Sequence, residues 1–363
     1  MNNIQARFLI KRSGFTFDVD LEIAGRGVTV FFGHSGSGKT TILRCIAGLE
    51  RASQGYLCVN GKIWQDSSFF LPTYKRPLGY VFQESSLFPH LTVLGNLCYG
   101  MKRVVKAQRA DLEKAIELLD IAYLLKRKPD GLSGGEKQRV AIARAITINP
   151  SILLMDEPLA SLDIKRRQEI LPYLKELRDE LDIPVLYVSH NPDEVVQLAD
   201  NMVIMEEGSI IANGTLEHVV TKIDLPVKIG EDAGVVFEAS IAKVDTAWNL
   251  CRIDFSGGSI WARDSGIAVG SSVRIRILAR DVSISKKPLE QISIQNSLQG
   301  VVDAIGADEH PGLALVRVKI GASFILSRLT RRAVMDLELN CGDSVWVHVK
   351  SAATISYHGR RRK

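Results

Sequence analysis

The run Gly33-His-Ser-Gly-Ser-Gly-Lys-Thr40 constrains this chain more tightly than any other feature of it. It fits G-x-x-x-x-G-K-[ST] and sits where the chemistry requires. Before it lies a short β-branched and aromatic run, Val28-Thr-Val-Phe-Phe32, and after it a helix-compatible stretch from Thr40 to Ala47. Glycines let the backbone curl until its N–H groups face phosphate oxygens, and the following helix adds its positive N-terminal end. Lys39 then reaches the β- and γ-phosphates, and the Thr40 hydroxyl coordinates Mg²⁺. The candidate cradle for a nucleoside triphosphate is Gly33, His34, Ser35, Gly36, Ser37, Gly38, Lys39, Thr40 and Thr41.

Such a loop needs a parallel sheet behind it, and residues 1–228 alternate accordingly. Ile152-Leu-Leu-Met155 and Val185-Leu-Tyr-Val188 are short and wholly apolar, as strands buried on both faces are. Leu112, Ala115, Ile116 and Leu119 recur at i, i+3, i+4, i+7 and mark one helical face within 107–126. An α/β domain with a largely parallel sheet follows. Pro172 interrupts the helical pattern after Asp163, which predicts a break or a new helix start there. The first apolar run ends in Asp156-Glu157, placing two carboxylates at the carboxyl edge of the sheet beside the phosphate loop. Asp156 is expected to help hold Mg²⁺, and Glu157 to polarise or deprotonate an attacking water.

After about residue 230 the period changes to two. Val316, Val318 and Ile320 alternate with Arg317 and Lys319, and Val345, Val347 and Val349 with Trp346, His348 and Lys350, which predicts an all-β, barrel-like or sandwich region. Gly270, Ser272, Val273, Ile275 and Ile277 match Gly342, Ser344, Val345, Val347 and Val349 at one constant spacing, as in two related β modules. A chain that is 46% hydrophobic and 24% charged is not mainly disordered, and a net charge of +5 selects no partner. No stretch approaches the roughly 18 uninterrupted apolar residues of a membrane span, and Met1 to Arg12 has no leader-like apolar core, so the expected location is cytosolic. Cys45, Cys58, Cys98, Cys251 and Cys341 lack paired metal-ligand spacing and read as reduced packing residues. Arg360-Arg-Arg-Lys363 reads as a solvated tail.

A second glycine loop, Leu132-Ser-Gly-Gly-Glu136, precedes a helical stretch from Lys137 to Ile148 and lacks a lysine. It is either half of a nucleotide site, completed when two copies pair head-to-tail, or an ordinary helix cap.

Together these residues resemble the ATP-binding cassette family over essentially all of 1–228. Its motifs occur here in order: the phosphate loop, Gln83 in Tyr80-Val-Phe-Gln-Glu84, the signature at 132–136, Asp156 and Glu157, Ser161-Leu-Asp163, and His190 in Val188-Ser-His190. The resemblance implies that Ser133, Gly134 and Gly135, with Asp163, serve ATP held by an opposite subunit. It also implies that Gln83 senses Mg²⁺ and water, and that His190 contacts the γ-phosphate and aligns Glu157. Glutamate at 136 stands where the family name has glutamine. Phe15 is the candidate adenine-stacking aromatic, with Phe17 the alternative.

The implied fold is an α/β P-loop NTPase domain with a helical subdomain at 1–228, then a barrel-like all-β accessory domain at 229–363. Ser293-Ile-Gln-Asn-Ser-Leu-Gln-Gly300, Val316 to Ile320 and Gly342 to Ser351 resemble the molybdate-binding module (Mop/TOBE type) of molybdate-importer ATPases, at about 292–354. Ser293, Asn296, Lys350 and Ser351 are the oxyanion candidates by position, while Gln295 and Ala333 depart from the usual arginine and serine. Oxyanion binding and simple bracing of a dimer both stay open for this module. Ser85 to Thr92 resembles the surface that receives a permease helix, or is a loop packed on the helical subdomain. The expectation is therefore an ATP-hydrolysing homodimer, peripheral on the cytoplasmic face of the inner membrane. It works with separate permease subunits and an extracytoplasmic binding protein, and not with nucleic acid. Import of tungstate, sulfate or another small solute, and a soluble anion-sensing ATPase, are the alternatives.

Overall fold

The computed structural model describes residues 3–12, 14–102, 108–223, 233–308, 310–350 and, as backbone alone, 353–358. Ser351 and the run from Arg360 to Lys363 lie outside the described residues. Internal contacts divide the chain into two units, Met1–Gly214 and Thr215–Lys363.

The first unit opens with β1 (Asn3–Arg12), β2 (Phe15–Ala24), β3 (Gly27–Phe32), α1 (Lys39–Ala47), β4 (Gln54–Val59), β5 (Lys62–Gln65) and β6 (Leu78–Val81). Helices α2 (Val93–Met101), α3 (Arg109–Leu118) and α4 (Gly134–Ile146) follow. Then come β7 (Ile152–Asp156), α5 (Ile164–Glu180), β8 (Pro184–Val188), α6 (Pro192–Leu198), β9 (Asn201–Glu206) and β10 (Ser209–Thr215). One sheet has six strands in the order β10-β9-β3-β8-β7-β6, with parallel pairing from β9 through β3, β8 and β7 to β6. Every residue of β7 and β8 is buried, the expected result for central parallel strands covered on both faces. The other sheet is antiparallel, β2-β1-β4-β5, and its inward residues Ile4, Ala6, Phe8 and Phe17 share one core with α1 and the parallel sheet. Helices α2 and α3 pack on α4 as the helical subdomain.

One expectation fails. Helix α5 runs unbroken from Ile164 to Glu180 with Pro172 inside it. A proline there removes one backbone donor, but Ile170, Leu171, Leu174 and Leu177 are all buried on either side of it. Burial of four large apolar side chains at roughly 2 kcal/mol each outweighs the local cost of about 3 kcal/mol.

The second unit contains α7 (Leu216–Val220), β11 (Gly234–Asp245), β12 (Leu250–Phe255), β13 (Gly258–Arg263), β14 (Ser272–Leu278) and β15 (Val282–Ser285). It continues with β16 (Asn296–Ala307), β17 (Leu313–Ile320), β18 (Ser323–Thr330), α8 (Arg331–Asp336), β19 (Ser344–Val349) and β20 (Ala353–His358). Its two five-stranded sheets have the same plan, β13-β12-β11-β14-β20 and β18-β17-β16-β19-β15. The strands carrying the sequence repeat, β14 and β19, occupy equivalent places, each preceded by a glycine at positive φ, Gly270 at 84° and Gly342 at 93°. Strands β11 and β16 carry matching register shifts, at Ile241/Lys243 and Val302/Ala304. The fifth strand of each sheet is exchanged: β15 leaves the first module to pair with β19, and β20 leaves the second to pair with β14. One apolar core, with Val235, Phe237 and Ile275 from one sheet and Val316, Val318 and Val347 from the other, lies within this all-β unit. Strict alternation would put His348 outside, yet it is 1% exposed. Its two ring nitrogens hydrogen-bond the hydroxyls of Ser285 on β15 at 2.8 Å and Ser297 on β16 at 2.9 Å. Burial lowers its pKa, which keeps the ring neutral among these neutral partners.

Candidate nucleotide site

The parallel pairing aligns the carboxyl ends of β3, β6, β7 and β8 along one edge, and the candidate residues follow directly from those ends. After β3 the chain turns tightly against β9. A Cβ on Gly33 would lie 2.2 Å from the Met205 carbonyl oxygen, and one on Gly38, where φ is 103°, would lie 2.9 Å from the Phe17 ring. Both positions therefore require glycine, and the loop they shape delivers Lys39 and Thr40 as the first residues of α1.

Lys39 is 5% exposed, and its ammonium donates to the carbonyls of Gly33 at 2.8 Å and His34 at 2.7 Å. Burial lowers its pKa, opposed by the negative charges of Glu157 and Asp156. The Thr40 hydroxyl donates to Asp156 Oδ1 at 2.9 Å, and the Tyr80 hydroxyl donates to Asp156 Oδ2 at 3.2 Å. Burial pushes the Asp156 carboxyl up and the Glu157 charge adds to that, while the Thr40 and Tyr80 hydrogen bonds pull it back. Among the described residues the buried Ser37 Oγ has no hydrogen-bond partner. A buried hydroxyl without a partner, a buried carboxylate disfavoured by its own neighbour, and a lysine folded back on carbonyls suit a phosphate and a divalent cation.

Glu157 follows β7 with φ at 45°, a left-handed backbone that costs a non-glycine residue on the order of 1 kcal/mol and that clusters at functional sites. Its N–H donates to the Val188 carbonyl at 3.2 Å, tying it to the end of β8. Two residues beyond Val188, His190 Nδ1 lies 3.4 Å from Glu157 Oε1. Gln83 is exposed just after β6. The segment that follows it is pinned to the helical subdomain. Asn96 of α2 exchanges hydrogen bonds with the Phe88 backbone at 2.8 and 3.1 Å, and Arg144 of α4 donates to the Ser86 carbonyl at 2.9 Å.

The second glycine loop forms a capping box on α4. Glu136 Oε2 accepts from the Ser133 N–H at 2.7 Å and Ser133 Oγ accepts from the Glu136 N–H at 3.3 Å. The Ser133 backbone N–H holds the Glu136 carboxyl below the usual range. Ser133 is exposed, and its side chain also hydrogen-bonds the Glu136 carboxyl. Gly134 is half-buried and Gly135 buried in the first turn of α4. Asp163 caps α5, accepting from the Arg166 N–H at 2.9 Å. Among the described residues, no hydrogen bond or ion pair links Ser133, Gly134, Gly135 or Asp163 to the Lys39 loop. The structure thus gathers Lys39, Thr40, Asp156, Glu157 and His190, and leaves the signature apart within one chain.

The ABC transporter family model matches residues 16–160, and the TOBE domain model matches residues 292–355. The chain is 61% identical to the molybdenum import ATP-binding protein ModC of Methylococcus capsulatus, across 97% of this chain and 99% of that one. It is 56% identical to that of Thiobacillus denitrificans (97% and 98%) and 50% identical to ModC 1 of Azotobacter vinelandii (98% and 99%). The chain belongs to the ABC transporter family of ATP-binding proteins. Among solved structures, cbiO1 from Clostridium perfringens, part of the ABC transporter complex cbiONQ, matches with a TM-score of 0.54 and 26% identity. That match covers 61% of this chain and 92% of cbiO1.

Of the two aromatic candidates, Phe17 is fully buried beneath the loop, whereas Phe15 is only half-buried. The oxyanion candidates separate in a similar way. Ser293 and Lys350 are exposed. Asn296 is 7% exposed with its amide already engaged: Oδ1 accepts from the Trp261 N–H at 2.7 Å, and Nδ2 donates to the carbonyls of Trp261 at 3.0 Å and Val349 at 3.4 Å. In the sequence Tyr80 stands out only as the first residue of the glutamine motif. Its contact with Asp156 depends on the register of β6 against β7, which no local signal carries.

Proposed function

We propose that this chain is the ATP-hydrolysing, energy-coupling subunit of a molybdate importer. The observation that carries the hydrolytic part is the convergence of Lys39, Thr40, Asp156 and the Glu157–His190 pair on one sheet edge. The names of relatives 50–61% identical over nearly the whole chain support molybdate as the cargo.

The loop from Gly33 to Thr41 cradles the ATP phosphates, with Ser37 Oγ and Lys39 turning to them from their present positions, and Phe15 stacks on the adenine. Thr40, Asp156 and Gln83 are the residues that would hold Mg²⁺, which neutralises charge on the phosphates when bound. Glu157 accepts the proton of the attacking water, and His190, within reach of Glu157, keeps that carboxylate and the γ-phosphate in line. Ser133, Gly134 and Gly135, with Asp163, complete the site of a second copy head-to-tail, a reading supported by the exposure of Ser133 at the N-terminus of α4, where an anion would be held.

No helix among the described residues is long and apolar enough to cross a membrane. On the importer reading the chain works as a peripheral homodimer on the cytoplasmic face, docking on separate permease subunits through the pinned segment after Gln83 and served by an extracytoplasmic binding protein. In the C-terminal unit the engaged Asn296 amide favours a bracing role over a ready-made oxyanion pocket.

ATP-dependent uptake of labelled molybdate by the complex reconstituted with permease and binding protein tests the assignment, with tungstate and sulfate as competitors. Inhibition by tungstate but not sulfate is expected. Uptake that sulfate abolishes and molybdate does not would replace the cargo. Glu157→Gln should bind ATP normally and lose turnover by about 10²–10⁴-fold; normal turnover in that variant sinks the hydrolytic mechanism.

A further inference from the structure

Asp156 has two carboxylate oxygens, and the structure gives each a side-chain donor from a different element: Thr40 on α1 for Oδ1 and Tyr80 on β6 for Oδ2. The two donors have different futures. In a phosphate loop of this pattern the threonine hydroxyl is a cation ligand through an oxygen lone pair while its proton stays on Oδ1, so Thr40 is shared between the carboxylate and the cation. The Tyr80 hydroxyl has no such second task. As a phenol it carries its proton at neutral pH and donates to Oδ2. Its ring is held by packing against Phe82, with centroids 4.3 Å apart, and its backbone lies beside Leu154, two residues before Asp156. At 3.2 Å the contact is long for O–H···O, as hydrogen bonds in such sites often are before the ligand arrives.

We propose that Tyr80 is a positioning residue for the cation site, its O–H fixing Oδ2 of Asp156 so that Oδ1 is held beside Thr40, where the metal or its water would meet it. This rests on the Mg²⁺–ATP reading of the site and goes beyond it, because it assigns a task to a residue outside the ligand set. Groups that orient metal-ligating carboxylates typically change metal affinity by about 10- to 100-fold when lost. It also gives the strand leading to Gln83 a direct hold on the cation site, since Tyr80 is three residues before Gln83.

Tyr80→Phe removes the O–H and keeps the ring. The test is titration of Mn²⁺, followed by electron paramagnetic resonance, into full-length chain loaded with the non-hydrolysable analogue AMP-PNP, beside AMP-PNP binding in EDTA. Mn²⁺ affinity about tenfold weaker than wild type, with metal-free AMP-PNP binding unchanged within twofold, is expected. Phe82→Leu, which removes the neighbouring tilted ring and leaves the O–H, should keep Mn²⁺ affinity within threefold. Unchanged Mn²⁺ affinity in Tyr80→Phe overturns the proposal. So does an equal loss of metal-free nucleotide binding, or an equal loss of Mn²⁺ affinity in Phe82→Leu, since either assigns the effect to packing. Absence of Mn²⁺-dependent binding in the wild type would instead defeat the reading on which the proposal rests.

Discussion

Two glycine loops of this chain open helices, and they differ in where their polar groups are spent. In the Lys39 loop the ammonium is folded onto the loop's own carbonyls, the buried Ser37 Oγ has no partner among the described residues, and two carboxylates stand beside it. In the Ser133 loop a capping box satisfies the backbone, and no lysine is present. One loop holds unmet demands for phosphate and cation. The other is a finished structural cap with an exposed serine at its N-cap. On the proposed head-to-tail pairing, the Ser133 loop acts without being strained or unsatisfied, because its anion arrives on another chain.

The comparison breaks first at Lys39. Lys39→Ala should weaken ATP binding by a hundredfold or more, read by fluorescent-nucleotide titration, because a buried cation facing phosphate is removed. Ser133→Ala under the same dilute conditions should leave affinity within twofold. If both variants bind ATP equally poorly, the two loops serve one site within one chain. At concentrations where copies pair, Ser133→Ala should cut turnover by about a hundredfold, as loss of a donor to developing negative charge does. Its stability should fall by only about 1 kcal/mol, the usual value of an N-cap.

The smallest effect sharpens the capping half. Glu136→Gln retains a box of the permitted S-x-x-E/Q type, so turnover should stay within twofold and stability should fall by about 0.5 kcal/mol. The folded Glu136 carboxyl titrates below its unfolded value, so its contribution is full above the unfolded pKa of about 4.3 and is lost as pH falls through the folded one. Urea denaturation from pH 6 to pH 3 should therefore show the two proteins converging on acidification. A gap that stays constant would remove the capping role of the charge.

The parallel sheet and the Lys39 edge were legible because they depend on local signals: apolar runs too short for helices, a glycine loop after one and a pair of carboxylates after another. What was not legible depends on neighbours in space. Helix α5 continues through Pro172 because both flanks are buried, which a local rule about proline cannot register. His348 falls on the outward phase of an alternating strand yet is buried, because Ser285 and Ser297 on neighbouring strands supply partners. Tyr80 meets Asp156 only through the register of two strands far apart in sequence. The repeat of β14 and β19 was visible as spacing, whereas the exchange of β15 and β20 was not, since strand order is not a property of either segment.

That exchange also sets the order in which the molecule can be made. The six-stranded sheet is complete in sequence by Thr215, so its elements have all been synthesised while a large part of the chain is still to come. Sheet β13-β12-β11-β14-β20 is different: its last strand is Ala353–His358, near the end of the chain, although the other four are finished by Leu278. Until that strand emerges, the outer edge of β14 is a row of unpaired backbone groups, the kind of edge that invites pairing with a neighbouring nascent chain. A stop codon shortly before Ala353 would thus damage the earlier β module as well as the later one, and would be felt first as aggregation during synthesis.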